Sequence, residues 1–205
     1  MTVLVLVRHG ETDWNVNRLF QGQTDIPLNQ RGKQQVLRLP ERLAEYDIDV
    51  AFTSDLMRAA DTATAAVAEM NGLDLHLETR LREAHFGIFE GLSWEEIQQR
   101  YPEEIELWMR DRNNAPHGAE RRDDFAARVE NFMNEVRSER PEQTVLCVAH
   151  GGSLGMMACI ALGVNTQYRW QFQLNNASVS EITLFEHGAL LNLWNDTRHI
   201  RDLID

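Results

Sequence analysis

The chain alternates between short apolar runs and longer amphipathic segments. Residues 3–8 form a continuous apolar run that ends in an arginine, which predicts a strand covered on both faces. The runs 50–53, 75–77 and 144–149 predict three more strands. Segments with helical periodicity separate these runs, and that alternation indicates a mainly parallel α/β sheet.

The helices are predicted from periodicity and from start signals. Pro40 should kink or divide the first of them, and Ser93 with Glu96 forms a capping box that starts another. The predicted helical segments are 32–46, 56–70, 93–112, 120–139 and a segment that ends at 162. Two long loops remain, at 9–29 and 79–92, and long loops in compact domains are often functional.

The last apolar segments predict a different kind of pairing. Residues 178–195 are expected to form two strands joined at His187 and Gly188, which gives an antiparallel hairpin at one side of the sheet. We expect residues 1–205 to form a single domain. Within it, residues 79–140 are expected to form a helical lid insertion at one end of the sheet.

Length, net charge and cysteine content argue against several classes of function. The 205 residues are enough for one domain with a large core. A net charge of −12 argues against nucleic-acid and membrane-surface binding, although it permits a small anionic substrate. Cys147 and Cys159 lie in apolar runs and are expected to be buried free thiols, which suits a reducing compartment. The first apolar run is too short for a signal peptide or membrane span, so we expect a cytoplasmic protein.

Two predicted strands end in similar polar motifs. The first ends in Arg-His-Gly at 8–10, and the strand at 144–149 ends in His-Gly-Gly at 150–152. Ligands of open α/β sheets bind at the carboxyl ends of the strands, so both motifs should face one crevice. Arg58 lies near the start of a helix, where a cation opposes the helix dipole. Arginines and glycines together predict a pocket for a compact anion such as phosphate.

Other interpretations of these residues stay open at this point. A single buried histidine at a strand end is more often a hydrogen-bonded core residue, and Arg58 could simply be exposed or pair with Asp55 or Asp61. No P-loop and no HExxH motif is present, so we expect neither a nucleotide cofactor nor a metal. Ser153 lacks the nucleophile-elbow sequence of serine hydrolases.

Seven segments in this order resemble the histidine phosphatase superfamily, in its phosphoglycerate-mutase-like branch. They are LVRHGETDWN, FQGQTDIPLNQRG, TSDLMRAADTA, REAHFGIFEGL, VAHGGSL, NASVSEI and WNDTRH. The resemblance covers nearly the whole chain. It implies a three-layer α/β/α sandwich, which agrees with the predicted sheet.

The resemblance also implies roles for the convergent residues. His9 matches the nucleophile that becomes a phosphohistidine. Arg8, Arg58 and His150 match the positions that hold the phosphoryl group, and Asn15 matches a further phosphate ligand. No cofactor is implied.

The remaining site candidates lie on the two predicted loops and one strand end. Glu83 matches the family's general acid, which must be protonated when the substrate binds; from the residues alone it could be a solvated carboxylate. Gln21, Gly22 and Thr24 match positions near the substrate, or are a polar turn. Gly151 could offer its backbone N–H to phosphate.

We therefore expect a phosphatase that hydrolyses small phosphomonoesters of metabolites and binds neither nucleic acid nor membrane. A phosphoglycerate mutase is the first alternative, and an inactive relative that binds phosphorylated ligands is the second. A homodimer is left open. His85, His117, Glu120 and Arg121 in the predicted lid have no assigned role, and the sequence does not identify the substrate.

Overall fold

The computed structural model describes residues 1–203, which fold around one six-stranded sheet. Its strands are β1 (Thr2–Arg8), β2 (Val50–Thr53), β3 (Leu75–Leu77), β4 (Thr144–Ala149), β5 (Val179–Leu184) and β6 (Ala189–Asp196). The spatial order is β3-β2-β4-β1-β5-β6. The four strands from β3 to β1 run parallel, and β5 and β6 pair antiparallel at the other side. The predicted mixed sheet and its terminal hairpin are confirmed.

Helices cover both faces of this sheet. They are α1 (Asp13–Val16), α2 (Gln30–Val36), α3 (Leu39–Leu43), α4 (Met57–Ala66), α5 (Trp94–Arg100), α6 (Pro102–Arg110), α7 (Arg122–Glu139) and α8 (Gly151–Leu162). Short 3-10 segments lie at Thr79–Leu81, Gly87–Phe89, Thr166–Gln171 and Arg198–Leu203, the last of which is interrupted at Ile200.

Strand β1 shows why its apolar run is continuous. Leu4 and Leu6 belong to a core cluster that includes residues of α7 and α8, whereas Val5 and Val7 belong to a second cluster with residues of α2, α3 and α4. Because successive side chains of a strand point to opposite faces, burial on both faces requires apolar residues at every position. The three-layer α/β/α sandwich is therefore confirmed.

Several predicted boundaries needed correction. The segment 32–46 forms two helices rather than one, with Pro40 in the first turn of α3, as expected of a residue that should divide the helix. The segment 93–112 is also divided, because Pro102 ends α5 and begins α6. The predicted loop 9–29 contains α1, whose start Thr12 caps with its side chain. Helix α4 ends at Ala66, four residues earlier than predicted.

The region between β3 and β4 contains two packing environments. Residues of the 3-10 helix Gly87–Phe89 and of α5 and α6 form a separate small cluster around Phe89, Ile97 and Trp108. Helix α7 instead buries Phe132 in the cluster on the sheet. How this region divides into a domain body and a lid stays a prediction.

Two further observations bear on the sequence predictions. Cys147 and Cys159 are free and buried, as expected. No helix within residues 1–203 is both long and apolar enough to cross a membrane.

Candidate active site

The carboxyl ends of the neighbouring strands β1 and β4 bring the two histidines together. Arg8 is in register with Ala149, and the His9 N–H donates to the Ala149 carbonyl at 2.9 Å. The rings of His9 and His150 have centroids 5.1 Å apart. The shared sheet edge predicted from the two motifs is therefore present.

The His9 ring is held in one tautomer. Its Nδ1 lies 2.7 Å from the Gly10 carbonyl oxygen, which can only accept, so Nδ1 carries the hydrogen and Nε2 has a free lone pair. His9 is buried, and burial together with Arg58 and Arg8 holds the pKa of the ring well below its usual value. At neutral pH the ring is uncharged, with Nε2 available as a nucleophile.

Arg58 is a fully buried cation at the base of the site. Its Nε donates to His150 Nδ1 at 3.2 Å, and its two Nη atoms donate to the carbonyls of Gly22 and Thr24 at 2.7 and 2.9 Å. Burial lowers the pKa of Arg58 to about 10, so the guanidinium stays protonated at neutral pH. His150 Nε2 lies 2.9 Å from the Ser54 hydroxyl. These contacts use three of the five guanidinium N–H groups and leave two for an anion.

Glu90 fixes the loop that holds Arg58. Its carboxylate accepts from the backbone N–H groups of Gln23, Thr24 and Phe86 at 2.9 to 3.0 Å. Gly22 has a positive φ of 54°, and a Cβ there would lie 1.9 Å from a Glu90 oxygen. Glycine is required at this position because a side chain would displace the carboxylate.

Arg8 and Asn15 line the site from the β1 side. Arg8 donates to the Leu174 carbonyl, while its buried Nε has no partner among residues 1–203. Asn15 uses its side-chain oxygen for the Thr12 backbone N–H at 3.1 Å and for the Asn176 amide at 3.1 Å. The Asn15 amide nitrogen is therefore the part of that side chain that can donate to a ligand.

Glu83 reaches the same site from the loop before the 3-10 helix Gly87–Phe89. Its oxygens accept from the backbone N–H groups of Ala84 at 2.9 Å and Gly152 at 2.8 Å. A Cβ at Gly152 would lie 2.1 Å from the carboxylate, so the approach of Glu83 to the start of α8 depends on glycine.

Arg128 of α7 fixes the backbone that carries Glu83. Its guanidinium donates to the carbonyls of Arg80, Arg82 and Glu83 at 2.7 to 2.9 Å. Glu120 holds that guanidinium through two contacts of 2.7 and 2.9 Å. The pair positions the Glu83 loop without reaching the reacting atoms.

We expect Arg128→Met to lower the free energy of unfolding by about 2 kcal/mol, because three carbonyls and the Glu120 carboxylate lose their donor. Turnover should fall as well, since the Glu83 backbone is no longer fixed. Urea denaturation followed by circular dichroism measures the first effect. Arg110→Met is the matched control: Arg110 pairs with Glu106 on an exposed helix face, so less than about 0.5 kcal/mol should be lost. Equal losses in the two variants would contradict this role of Arg128.

These elements enclose a cavity of about 500 Å³. Eight of the ten predicted site residues line it: Arg8, His9, Asn15, Gln21, Gly22, Arg58, Glu83 and Gly151. His150 does not line the cavity: it is fully buried and contacts Arg58 and Ser54 through its two ring nitrogens. Thr24 does not line the cavity, because its hydroxyl donates to Glu90 and its carbonyl accepts from Arg58. The geometry gives Thr24 a part in positioning Arg58.

The four unassigned residues of the predicted lid also lie outside this cavity. Glu120 pairs with Arg128, and His85 accepts at Nδ1 from the Gly87 N–H at 3.0 Å. His117 and Arg121 are exposed. None of the four is placed to contact a substrate in this arrangement.

Sequence reasoning missed several residues that build the site. They are Ser54, Glu90, Gly152, Arg169 and Asn176. Four of them, Ser54, Glu90, Gly152 and Asn176, lie inside the quoted motifs, which could have indicated them. Arg169 lies outside every motif. Within residues 1–203, no three His, Cys, Asp or Glu side chains are grouped so as to hold a metal ion.

Comparisons with known proteins agree with this geometry. Phosphoserine phosphatase 1 of Hydrogenobacter thermophilus is 34% identical over 201 residues, which cover 98% of this chain and 95% of that protein. Glucosyl-3-phosphoglycerate phosphatase of Mycobacterium tuberculosis is 37% identical over 167 residues, covering 78% of this chain and 74% of that protein. The crystal structure of α-ribazole phosphatase from Shigella flexneri superimposes with a TM-score of 0.87 at 30% identity, covering 95% of this chain and 96% of that chain.

The family assignment is based on nearly the whole chain. Residues 4–197 match the model of the histidine phosphatase superfamily (branch 1), a span that includes every residue of the cavity described above. The chain belongs to the histidine phosphatase superfamily, branch 1.

Proposed function

We propose that the protein is a phosphatase that hydrolyses small phosphomonoesters through a phosphohistidine on His9. The observation that carries the proposal is the neutral His9 ring, whose Nε2 lone pair is free beside the cations Arg8 and Arg58. The similar proteins named above are phosphatases for phosphoserine, glucosyl-3-phosphoglycerate and α-ribazole phosphate. The cavity of about 500 Å³ has the size of a small-metabolite site.

In the first step, His9 Nε2 attacks phosphorus in line with the ester oxygen. The Nε2–P bond forms as the P–O ester bond breaks, and the departing oxygen takes a proton from Glu83. The guanidinium groups of Arg8 and Arg58 and the start of α8 stabilise the charge on the equatorial oxygens. The Gly10 carbonyl keeps the proton on Nδ1 and so stabilises the cationic phosphohistidine.

In the second step, water attacks the phosphohistidine. Glu83, now a carboxylate, accepts a proton from that water as the new P–O bond forms and the Nε2–P bond breaks. Phosphate leaves, His9 is neutral again and Glu83 is reprotonated. The first step therefore requires Glu83 in its protonated form, and the second step requires its carboxylate.

The test is release of p-nitrophenol from its phosphate ester with and without excess EDTA. We expect turnover that chelation leaves unchanged, because the guanidinium groups of Arg8 and Arg58 supply the positive charge. Vanadate should inhibit competitively by occupying the phosphoryl site. Activity that is lost in EDTA and restored by a divalent ion would contradict this mechanism. A protein that binds phosphate esters without releasing nitrophenol would be an inactive binder.

Mutase activity is tested separately with 3-phosphoglycerate and a trace of 2,3-bisphosphoglycerate. Arg121 and Arg122, within residues 79–140, are candidates for the additional positive charge that a mutase needs for the carboxylate of its substrate. Arg121 is exposed and Arg122 lies beside Asp123 at 3.2 Å, so neither lines the cavity. We expect phosphate release only; faster formation of 2-phosphoglycerate would make the protein a mutase.

A cytoplasmic location remains part of the proposal. It is supported by the two buried, free cysteines, which suit a reducing compartment. The homodimer stays a prediction, and size-exclusion chromatography with light scattering decides it.

A further inference from the structure

A third arginine lines the active-site cavity, from the segment that follows α8. Arg169 lies in the 3-10 helix Thr166–Gln171, is only 5% exposed and borders the cavity together with His9 and Glu83. Its Nε and Nη1 atoms are buried and have no hydrogen-bond partner among residues 1–203. Burying a charged group without hydrogen bonds is costly, so this guanidinium is placed as if to receive an anion.

The Arg169 side chain is held before any ligand arrives. Its guanidinium carbon lies 4.2 Å from the centroid of the Trp170 ring and 5.7 Å from that of Phe125. The backbone is close against α8, since a Cβ at Gly155 would lie 3.0 Å from the Arg169 carbonyl oxygen. A side chain fixed in this way loses little conformational entropy when it binds.

The charges around Arg169 define what it can bind. Burial lowers the pKa of Arg169 to about 10, and the negative charge of Glu83 opposes that shift while Arg112 and Arg122 add to it. Arg169 is therefore cationic at neutral pH. One guanidinium supplies one positive charge, which matches a singly charged planar group better than a second dianion.

The ligand must reach Arg169 through the larger cavity. Arg169 also borders a second cavity next to Arg112 and Arg122, but its volume is about 10 Å³. That space is at the lower limit for one water molecule and excludes any part of a metabolite. The larger cavity has room for both halves of a small ester, and its wall near Arg169 includes Trp170 and Phe172.

We propose that Arg169 binds a carboxylate on the alcohol half of the substrate, so that the preferred substrates are phosphomonoesters of small hydroxy acids. The inference rests on the proposed function, because it takes Arg8 and Arg58 as the phosphoryl site. A planar guanidinium pairs well with a planar carboxylate. Arg169 then determines specificity and leaves the phosphoryl chemistry to the other residues.

Binding is measured by calorimetry in a His9→Ala background, where no turnover can occur. The ligands are 3-phosphoglycerate, glycerol 3-phosphate, which lacks the carboxylate, and 1,3-propanediol bisphosphate. Adding Arg169→Met should weaken 3-phosphoglycerate binding roughly 10- to 100-fold, the effect of one charge-assisted contact. The same substitution should weaken the binding of glycerol 3-phosphate by less than about threefold, because this ligand has no carboxylate to contact Arg169.

Two controls separate binding from folding. Arg112→Met removes a nearby cation that does not line the larger cavity, and should change neither affinity more than about threefold. Arg169→Met should keep or raise the melting temperature, since methionine replaces an unpaired buried charge. A lower melting temperature with equal losses for both monophosphates would make Arg169 structural and overturn the proposal.

The remaining outcomes also decide the question. Absence of measurable 3-phosphoglycerate binding would contradict the carboxylate site. Tighter binding of the bisphosphate than of 3-phosphoglycerate would mean that Arg169 binds a second phosphate group rather than a carboxylate. Failure of the wild-type protein to hydrolyse any phosphomonoester would overturn the proposed function alone. The calorimetric comparison needs no turnover and still tests Arg169 in that case.

Discussion

His9→Ala is expected to lower turnover of every phosphomonoester by at least about 10⁴-fold, because no other side chain can form the covalent intermediate. His150 cannot replace it: its Nδ1 accepts from Arg58 and its Nε2 contacts Ser54. Steady-state phosphate release measures the loss. Wild-type enzyme quenched during turnover should carry a phosphoryl group that is labile in acid and stable in base.

The control for this prediction is His187→Ala at the tip of the hairpin. The side chain of His187 is 92% exposed, so the substitution should leave turnover and melting temperature unchanged. Substantial residual turnover in a folded His9→Ala protein would rule out the phosphohistidine mechanism. An adduct labile in both acid and base would point to an acyl phosphate on a carboxylate instead.

Glu83→Gln should reduce kcat/KM by roughly 10²- to 10³-fold for an alkyl phosphate, whose leaving oxygen needs a proton. For p-nitrophenyl phosphate the loss should be less than about tenfold, because nitrophenolate leaves without one. Glutamine keeps the size of the side chain but cannot supply the proton. Parallel assays of glycerol 3-phosphate and p-nitrophenyl phosphate give the comparison.

The two substrates act as each other's control within one protein. Glutamine can accept from only one of the two N–H groups that Glu83 now binds, at Ala84 and Gly152, so some loss common to both substrates is expected. Restoration of Glu83→Gln turnover by an added small carboxylic acid should be visible only with glycerol 3-phosphate, which has the poorer leaving group. Equal losses for both substrates would assign Glu83 to binding or to local structure rather than to proton transfer.

Much of the fold could be predicted because its signals are local. The apolar run of β1 required burial on both faces, and Pro40 and Pro102 lie where the helices are interrupted. The convergence of His9 and His150 followed from the rule that parallel strands share a carboxyl edge. Boundaries were less accurate, as at the end of α4, since helix length there depends on packing rather than on alanine content.

The sequence could not indicate which polar groups form hydrogen bonds with one another. Glu90 accepts three backbone N–H groups, and Arg128 donates to three carbonyls, but these contacts join segments that are distant along the chain. Thr24 was expected near the substrate, and only the structure shows its hydroxyl on Glu90.

Arg169 shows the same limit most clearly. Arg169 lies outside every motif that indicated the site. In the structure the additional cation comes from the segment after α8, where Gly155 lets its backbone approach. A carboxylate subsite serves a hydrolase of carboxylated esters as well as a mutase, so product analysis, not this subsite, separates the two.

The sequence alone therefore determined the order of the strands and helices, the superfamily and the meeting of the two histidine motifs at one sheet edge, because these depend on local pattern and on short motifs. The tertiary structure decided the tautomer of His9, the support of Arg58 and Glu83, and the exposure of Arg169 to the cavity. Those properties depend on distances between segments far apart in the chain, such as the 2.8 Å contact between the Gly152 N–H and Glu83. No periodicity or residue count contains such a distance, since it results from the packing of whole elements against one another.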